Sequence, residues 1–168
     1  MDFKHDILPL KDIIFRTALR IVLNRDEAQD IVQDTLLKLW QKRGELSQVD
    51  NMQAFAVASA RNLAIDRKEK MANKTVSLDA AEHDCSDGAQ AAPDAGMMKR
   101  ETHSFMEDSI NSLSEKQRTV IQLRDVEEKS YKEIAQVLNI SESDVKVTLF
   151  RARAALKEKI LKKKSLFL

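Results

Sequence analysis

Residues 130–160 read SYKEIAQVLNISESDVKVTLFRARAALKEKI, and the spacing of their apolar, capping and basic side chains decides how this chain folds. Tyr131, Ile134, Ala135 and Leu138 recur at the three-and-four interval of a helix, and a second stripe runs through Val145, Leu149, Ala152, Leu156 and Ile160. Between the stripes, Leu138-Asn139-Ile140 is short enough for a tight turn. Ala135 is small enough for two helices to cross closely, and Asn139 tolerates left-handed backbone. Ser141 suits the N-cap of the second helix, with Asp144 three residues on as the acidic half of a capping box. These features together predict a helix-turn-helix whose second helix, starting near Ser141, enters the major groove of duplex DNA.

With the second stripe facing inward, a rotation of about 100° per residue puts Ser143, Val147, Phe150 and Ala154 on the outer face, flanked by Lys146 and Arg151. Lys146 and Arg151 are donors suited to guanine edges or phosphates, while Val147, Thr148 and Phe150 suit thymine methyls or the sugar backbone. Arg124, Arg153 and the lysines between positions 157 and 164 are better placed for phosphates. A basic helix on its own more often merely solvates a surface. Here the turn, the cap and an outward-facing aromatic coincide.

Working outward, Ser114 with Gln117 forms a capping box for a helix ending near Val126, and a further helix covers roughly 97–112. Residues 73–96, NKTVSLDAAEHDCSDGAQAAPDAG, hold two of the three glycines and no sustained apolar period, and are expected to be a flexible acidic linker. Before it, Ile7, Leu10, Ile14, Ala18 and Ile21 mark one helix. Ala28, Ile31, Val32, Thr35, Leu36 and Leu39 mark a second, from about Asp26 to Lys42 and stopped by Gly44; a third spans Met52 to Lys70. Leu37, with Gln33 and Trp40 toward the same side, projects away from the core stripe of the second helix and suggests a partner surface. The expected fold is all-α: two small helical domains, 1–72 and 97–168, joined by the linker 73–96.

Only three glycines and two prolines occur in 168 residues, so helices are inexpensive almost everywhere. The net charge of +1 argues against indiscriminate coating of nucleic acid, but its distribution is uneven: +2 over residues 1–74, −5 over 75–96 and +4 over 97–168. One cysteine, Cys85, excludes an internal disulfide, and no CxxC or HExxH pattern offers a metal site; no cofactor and no small-molecule ligand is expected. An enzymatic reading would rest on His83, Cys85 and His103, for which no carboxylate is spaced to orient a ligand or nucleophile. No run approaches the roughly 20 apolar residues of a membrane span, so the expected location is the cytoplasm.

The succession DEAQDIVQDTLLKLW (26–40), AFAVASARNLAIDRKEK (54–70) and YKEIAQVLNISESDVKVTLFRARAAL (131–156) resembles bacterial RNA polymerase sigma factors of the extracytoplasmic-function group, over nearly the whole chain. The resemblance implies a region 2 domain, a linker and a region 4 domain that together recruit core polymerase to a promoter, with no catalysis of their own. It carries Asp30, Gln33, Asp34, Leu37 and Trp40 to binding of the β′ clamp helices. Arg61, Asn62, Asp66 and Arg67 are carried to melting and capture at the −10 element, and the loop from Lys42 to Met52 to the wall of the base pocket. Arg124, Ser143, Lys146, Val147, Thr148, Phe150 and Arg151 are carried to −35 contacts. Where the group usually begins its third helix with Trp-Leu, this chain has Phe55-Ala56; where it has Gly-Thr-Val in the recognition helix, this chain has Ser143-Asp144-Val145, with Asp144 assigned to the cap. The implied partners are core RNA polymerase, at its β′ clamp helices and β flap, promoter DNA and, as in many of the group, an anti-sigma protein covering the polymerase-binding surfaces. The alternative reading is a stand-alone helix-turn-helix regulator whose N-terminal helices sense a ligand or dimerise.

Overall fold

The structure, a computed structural model, describes residues 2–75 and 96–166, and all regular structure among them is helical. The greater part of the expected linker, with His83 and Cys85, lies outside the described residues. The helices are α1 (Lys11–Val22), α2 (Arg25–Gln41), α3 (Met52–Thr75), α4 (Gly96–Asn111), α5 (Glu115–Ile121), α6 (Tyr131–Leu138) and α7 (Glu142–Leu166).

α1 starts four residues later than Ile7 because Pro9 sits in a short 3-10 turn, Leu8–Leu10, ahead of it. Ile7 and Leu10 are nevertheless buried, as the periodicity requires. The helix ends at Leu23, which takes a left-handed conformation at φ 56°, and Asn24 at once caps α2 by accepting the Glu27 N–H. Gly44 does not stop α2 as expected: the helix closes at Lys42, and no glycine among the described residues adopts a positive φ. α3 runs five residues beyond Lys70, to Thr75. Its alanines carry the fit against α1 and α2: Ala54, Ala56, Ala60 and Ala64 are all buried, and side chains this small let three helices approach closely.

In the second group, α5 begins on the predicted capping box. The Ser114 Oγ accepts the Gln117 N–H at 3.3 Å, and the Gln117 side chain returns to the Ser114 N–H at 3.2 Å. α5 passes into a π turn, Gln122–Val126, and α7 rests against α5 and α6. Val145, Leu149 and Ala152 are buried, but Ile160 is 40% exposed, contrary to the predicted stripe. The inward positions 145, 149, 152, 156, 159 and 163 follow a heptad rather than a straight 3.6-residue period, so the facing side slides past Ile160. Lys159 instead meets Ser112, just past the end of α4, and Lys163 lies over the Phe105 ring of α4.

The two groups do not stand apart. α1 touches α5 and the π turn, α3 touches α6, and buried side chains form one continuous cluster across the junction. Among the described residues, no helix is long and apolar enough to cross a membrane.

Candidate nucleic-acid interface

α6, the turn and the start of α7 have the geometry expected from their sequence. Ser130 caps α6 by accepting the Glu133 N–H at 3.2 Å, and the Glu133 carboxylate accepts the Ser130 N–H at 2.9 Å. The bond from the Ser130 N–H, with a second from the Ser130 hydroxyl to the same carboxylate at 2.8 Å, favours the charged form and holds the Glu133 carboxyl below the usual carboxylate range. Asn139 closes α6 in the left-handed region at φ 52°, and the Ile140 N–H returns to the Ala135 carbonyl at 3.1 Å. The Ser141 Oγ accepts the Asp144 N–H at 3.0 Å and donates its own proton to the Asp144 carboxylate at 2.8 Å, so Asp144 is occupied in the cap.

This cap fixes which face of α7 looks outward. Ser143, Lys146, Val147, Phe150, Arg151 and Ala154 are exposed, Phe150 by 75%; Thr148 is half-buried. A phenyl ring this open beside two cations suits base edges and sugars, whose apolar surface it can cover. Lys146 leans back so that its ammonium lies 5.4 Å from the Tyr131 ring, and the Arg124 guanidinium lies 4.8 Å from the same ring while donating to the Lys129 carbonyl at 2.7 Å. Tyr131 thus positions both cations at the mouth of the motif, a role the sequence reading missed because it took Tyr131 only as core. Arg153 is turned away, ion-paired with Asp125 of the π turn, which raises its pKa; Lys162 pairs with Glu158 at 2.7 Å.

The residues carried to the −10 element do not make one surface. Asn62 and Asp66 are one helical turn apart on α3 and share an exposed face. Arg61 and Arg67 lie on either side of that face, each rotated by about 100° from its neighbour there. Arg67 turns to α2 and grips Glu27 at 3.0 Å, Asp34 at 2.7 Å and, more loosely, Asp30 at 3.7 Å; the hydrogen bond to Glu27, then the charges of Asp34, Glu27 and Asp30, raise its pKa. Arg61 turns the other way, into a two-pronged pair with Glu115 at 3.0 Å on each prong. Phe55 is half-buried against the core, and Val57 and Ser59 are buried.

On α2 the apolar surplus stays uncovered by the described residues: Leu37 is 55% and Trp40 37% exposed, with Gln33 and Leu36 completing a shallow groove. The Arg43 guanidinium stacks 4.3 Å from the Trp40 ring and holds one wall of that groove. Asp30 and Asp34 flank it while holding Arg67, so charge and apolar surface adjoin. Among the described residues no group of His, Cys, Asp and Glu side chains could hold a metal ion, and His103 is exposed on α4.

Residues 8–73 match the family described as Sigma-70 region 2, and residues 106–156 match Sigma-70, region 4. The chain belongs to the sigma-70 family. Among its relatives, the RNA polymerase sigma-H factor of Pseudomonas aeruginosa is 28% identical over 163 residues, covering 93% of this chain and 81% of that protein. The ECF RNA polymerase sigma factor SigW of Bacillus subtilis is 28% identical over 159 residues, covering 89% and 84%. Among solved structures, the sigma factor RpoE in complex with the anti-sigma factor NepR from Bartonella quintana aligns with a TM-score of 0.76 at 25% identity, over 95% of this chain and 96% of that one. These likenesses identify a sigma factor of the extracytoplasmic-function group, a promoter-directing subunit in a family of transcription initiation factors. The region 2 match contains α1, α2 and most of α3; the region 4 match contains α5, α6 and the first half of α7.

Proposed function

We propose that this sigma factor, acting in the cytoplasm and without catalysis of its own, binds core RNA polymerase through the α2 groove and directs it to promoters with a −35 element read by α7. Its domains are 1–72, for core polymerase and the −10 element, and 97–168, for the −35 element, with 73–96 as tether. Core binding falls to Leu37, Trp40 and Gln33, with Asp30 and Asp34 as the charged rim, against the β′ clamp helices; the β flap engages the second domain. An anti-sigma partner would cover the same surfaces.

The observation that carries this reading is the outer face of α7, where Lys146, Val147, Phe150 and Arg151 stand exposed on a helix whose start is set by Ser141 and Asp144. Lys146 and Arg151 supply guanine or phosphate contacts, Val147, Thr148 and Phe150 apolar ones, Ser143 a hydroxyl near the helix start, and Arg124 a phosphate contact upstream. Opening DNA requires an unstacked base to be recaptured in a pocket with polar donors, at a cost of a few kcal/mol. We assign Asn62 and Arg61 as those donors, with Asp66 on the exposed face that Asn62 shares.

Run-off transcription with core RNA polymerase over a randomised promoter library tests the proposal. The expected result is initiation at sites carrying two separated elements. Substituting Lys146→Ala or Arg151→Ala relaxes preference at individual −35 positions at a cost of about 1–3 kcal/mol per lost base contact. Tight duplex binding without polymerase and without directed transcription would instead mark a stand-alone regulator.

A further inference from the structure

Arg67 leaves the face of α3 that Asn62 and Asp66 share and reaches three carboxylates on α2. Its Nη1 donates to Oε2 of Glu27 at 3.0 Å and lies 3.7 Å from Oδ2 of Asp30, while its Nη2 donates to Oδ2 of Asp34 at 2.7 Å. Positions 27, 30 and 34 follow one another by about a helical turn, so the three acids form a ladder along α2. At about 100° per residue, Asp30 falls about 20° around α2 from Leu37 and Asp34 about 60°, both nearer the apolar groove than Glu27. The two aspartates keep 60% and 52% of their side-chain surface exposed, whereas Glu27 keeps 28%. The ladder thus has one held rung and two outward rungs beside the groove.

We propose that Arg67 is a positioning residue of the core-binding surface rather than a −10 contact: by gripping Glu27 and Asp34 it sets the Asp30 and Asp34 carboxylates beside Leu37, where they meet a guanidinium or ammonium group of core polymerase. The inference rests on the reading of the α2 groove as the surface that binds core polymerase. Competition for the guanidinium favours α2 over DNA. A phosphate would offer acceptors of the same kind, but to take Arg67 it would have to displace carboxylates already in place and leave them facing one another, and like charges a turn apart on a helix repel. Three carboxylates against one guanidinium leave the rim acidic, so it still attracts a cation. With Arg67 in place the rim is also ordered before the partner arrives, and a partner that need not order it binds more tightly.

Direct binding of the full chain to core polymerase, read beside promoter opening at saturating sigma factor, tests this. Arg67→Gln is expected to weaken core binding by about fivefold, the scale of an exposed ion-pair network. Arg67→Lys keeps the charge but reaches one carboxylate at a time, and is expected to lose only about twofold. With Asp30→Asn and Asp34→Asn already present no rim is left to position, and the same Arg67→Gln then costs less than about twofold. At saturation, Arg67→Gln opens the promoter as fast as the wild type. Unchanged or tighter core binding by Arg67→Gln, an Arg67→Lys chain as weak as Arg67→Gln, an undiminished cost beside the two asparagine substitutions, or slowed opening at saturation would each overturn the proposal. Leu37→Asp separates it from the reading beneath it. If Leu37→Asp leaves core binding intact, the groove assignment itself fails, whereas a loss at Leu37 with none at Arg67 overturns the positioning role alone.

Discussion

Asn139 carries more of the fold than its size suggests. It holds φ 52° where the chain leaves α6 and turns into α7, a conformation that costs a residue with an ordinary Cβ about 1–2 kcal/mol and a β-branched residue still more. Asn139→Val is therefore expected to destabilise by about 2 kcal/mol, while Asn139→Gly stays within about 0.5 kcal/mol of the wild type. Urea denaturation followed by circular dichroism distinguishes the two. Asn139 and the Ser141 cap were legible in sequence because their effects are local: each acts on backbone within a few residues. Arg61, Arg67 and Arg118 were not. Charge alone cannot say that Arg67 lies against Glu27 and Asp34, that Arg61 reaches a carboxylate 54 positions away, or that Arg118 is buried with Nη1 donating to the Asn111 carbonyl at 2.6 Å.

The elements themselves depend on short hydrogen-bonded ends. The Ser130–Glu133 box starts α6, and Ser130→Ala is expected to cost about 1 kcal/mol near neutral pH. The pH dependence has a definite sign. The Glu133 carboxyl is held below its ordinary value of 4.5, so its contribution is present above that value and lost as pH falls through the depressed one. The gap between wild type and Ser130→Ala should thus narrow, without closing, as pH falls through that depressed value, because the Ser130 Oγ still accepts the Glu133 N–H; thermal unfolding across a pH series reads it. α2 offers the opposite kind of test. Leu37 stands outside the core, so Leu37→Asp should change stability by less than about 0.5 kcal/mol. Affinity for core polymerase should fall by about tenfold or more, as loss of an apolar anchor does, in a direct binding assay. Periodicity exposed this surplus in advance, whereas the slide of the α7 stripe past Ile160 depended on which neighbours α7 meets.

At the scale of the molecule, the two groups of helices share one buried cluster, and Ile134, fully buried on α6, lies where α3 and α6 meet. Its truncation, Ile134→Ala, should cost about 2–5 kcal/mol, the range for large cavities in a core, in the same urea titration. The ion pair of Glu127 with Arg16 on α1 makes the junction of the two groups sensitive to acid. The Glu127 carboxyl is held below the ordinary range first by the Arg16 hydrogen bond, so its contribution to docking exists above that range and vanishes as pH drops through the depressed value. Small-angle scattering should show the free chain expanding as pH falls through that depressed value, with Glu127→Gln more expanded than the wild type at neutral pH.

The all-α class, the order of the helices, the caps and the outward face of α7 follow from residues that are neighbours along the chain, since turns, caps and a 3.6-residue period are short-range properties. The pairing of Arg61 with Glu115, the capture of Arg67 by α2 and the docking of one domain on the other join residues that meet only after the helices have packed. Side-chain charge is visible in a sequence, but its partner depends on distance in space, and that is why the outward face of α7 could be anticipated while the partners of Arg61 and Arg67 on α3 could not.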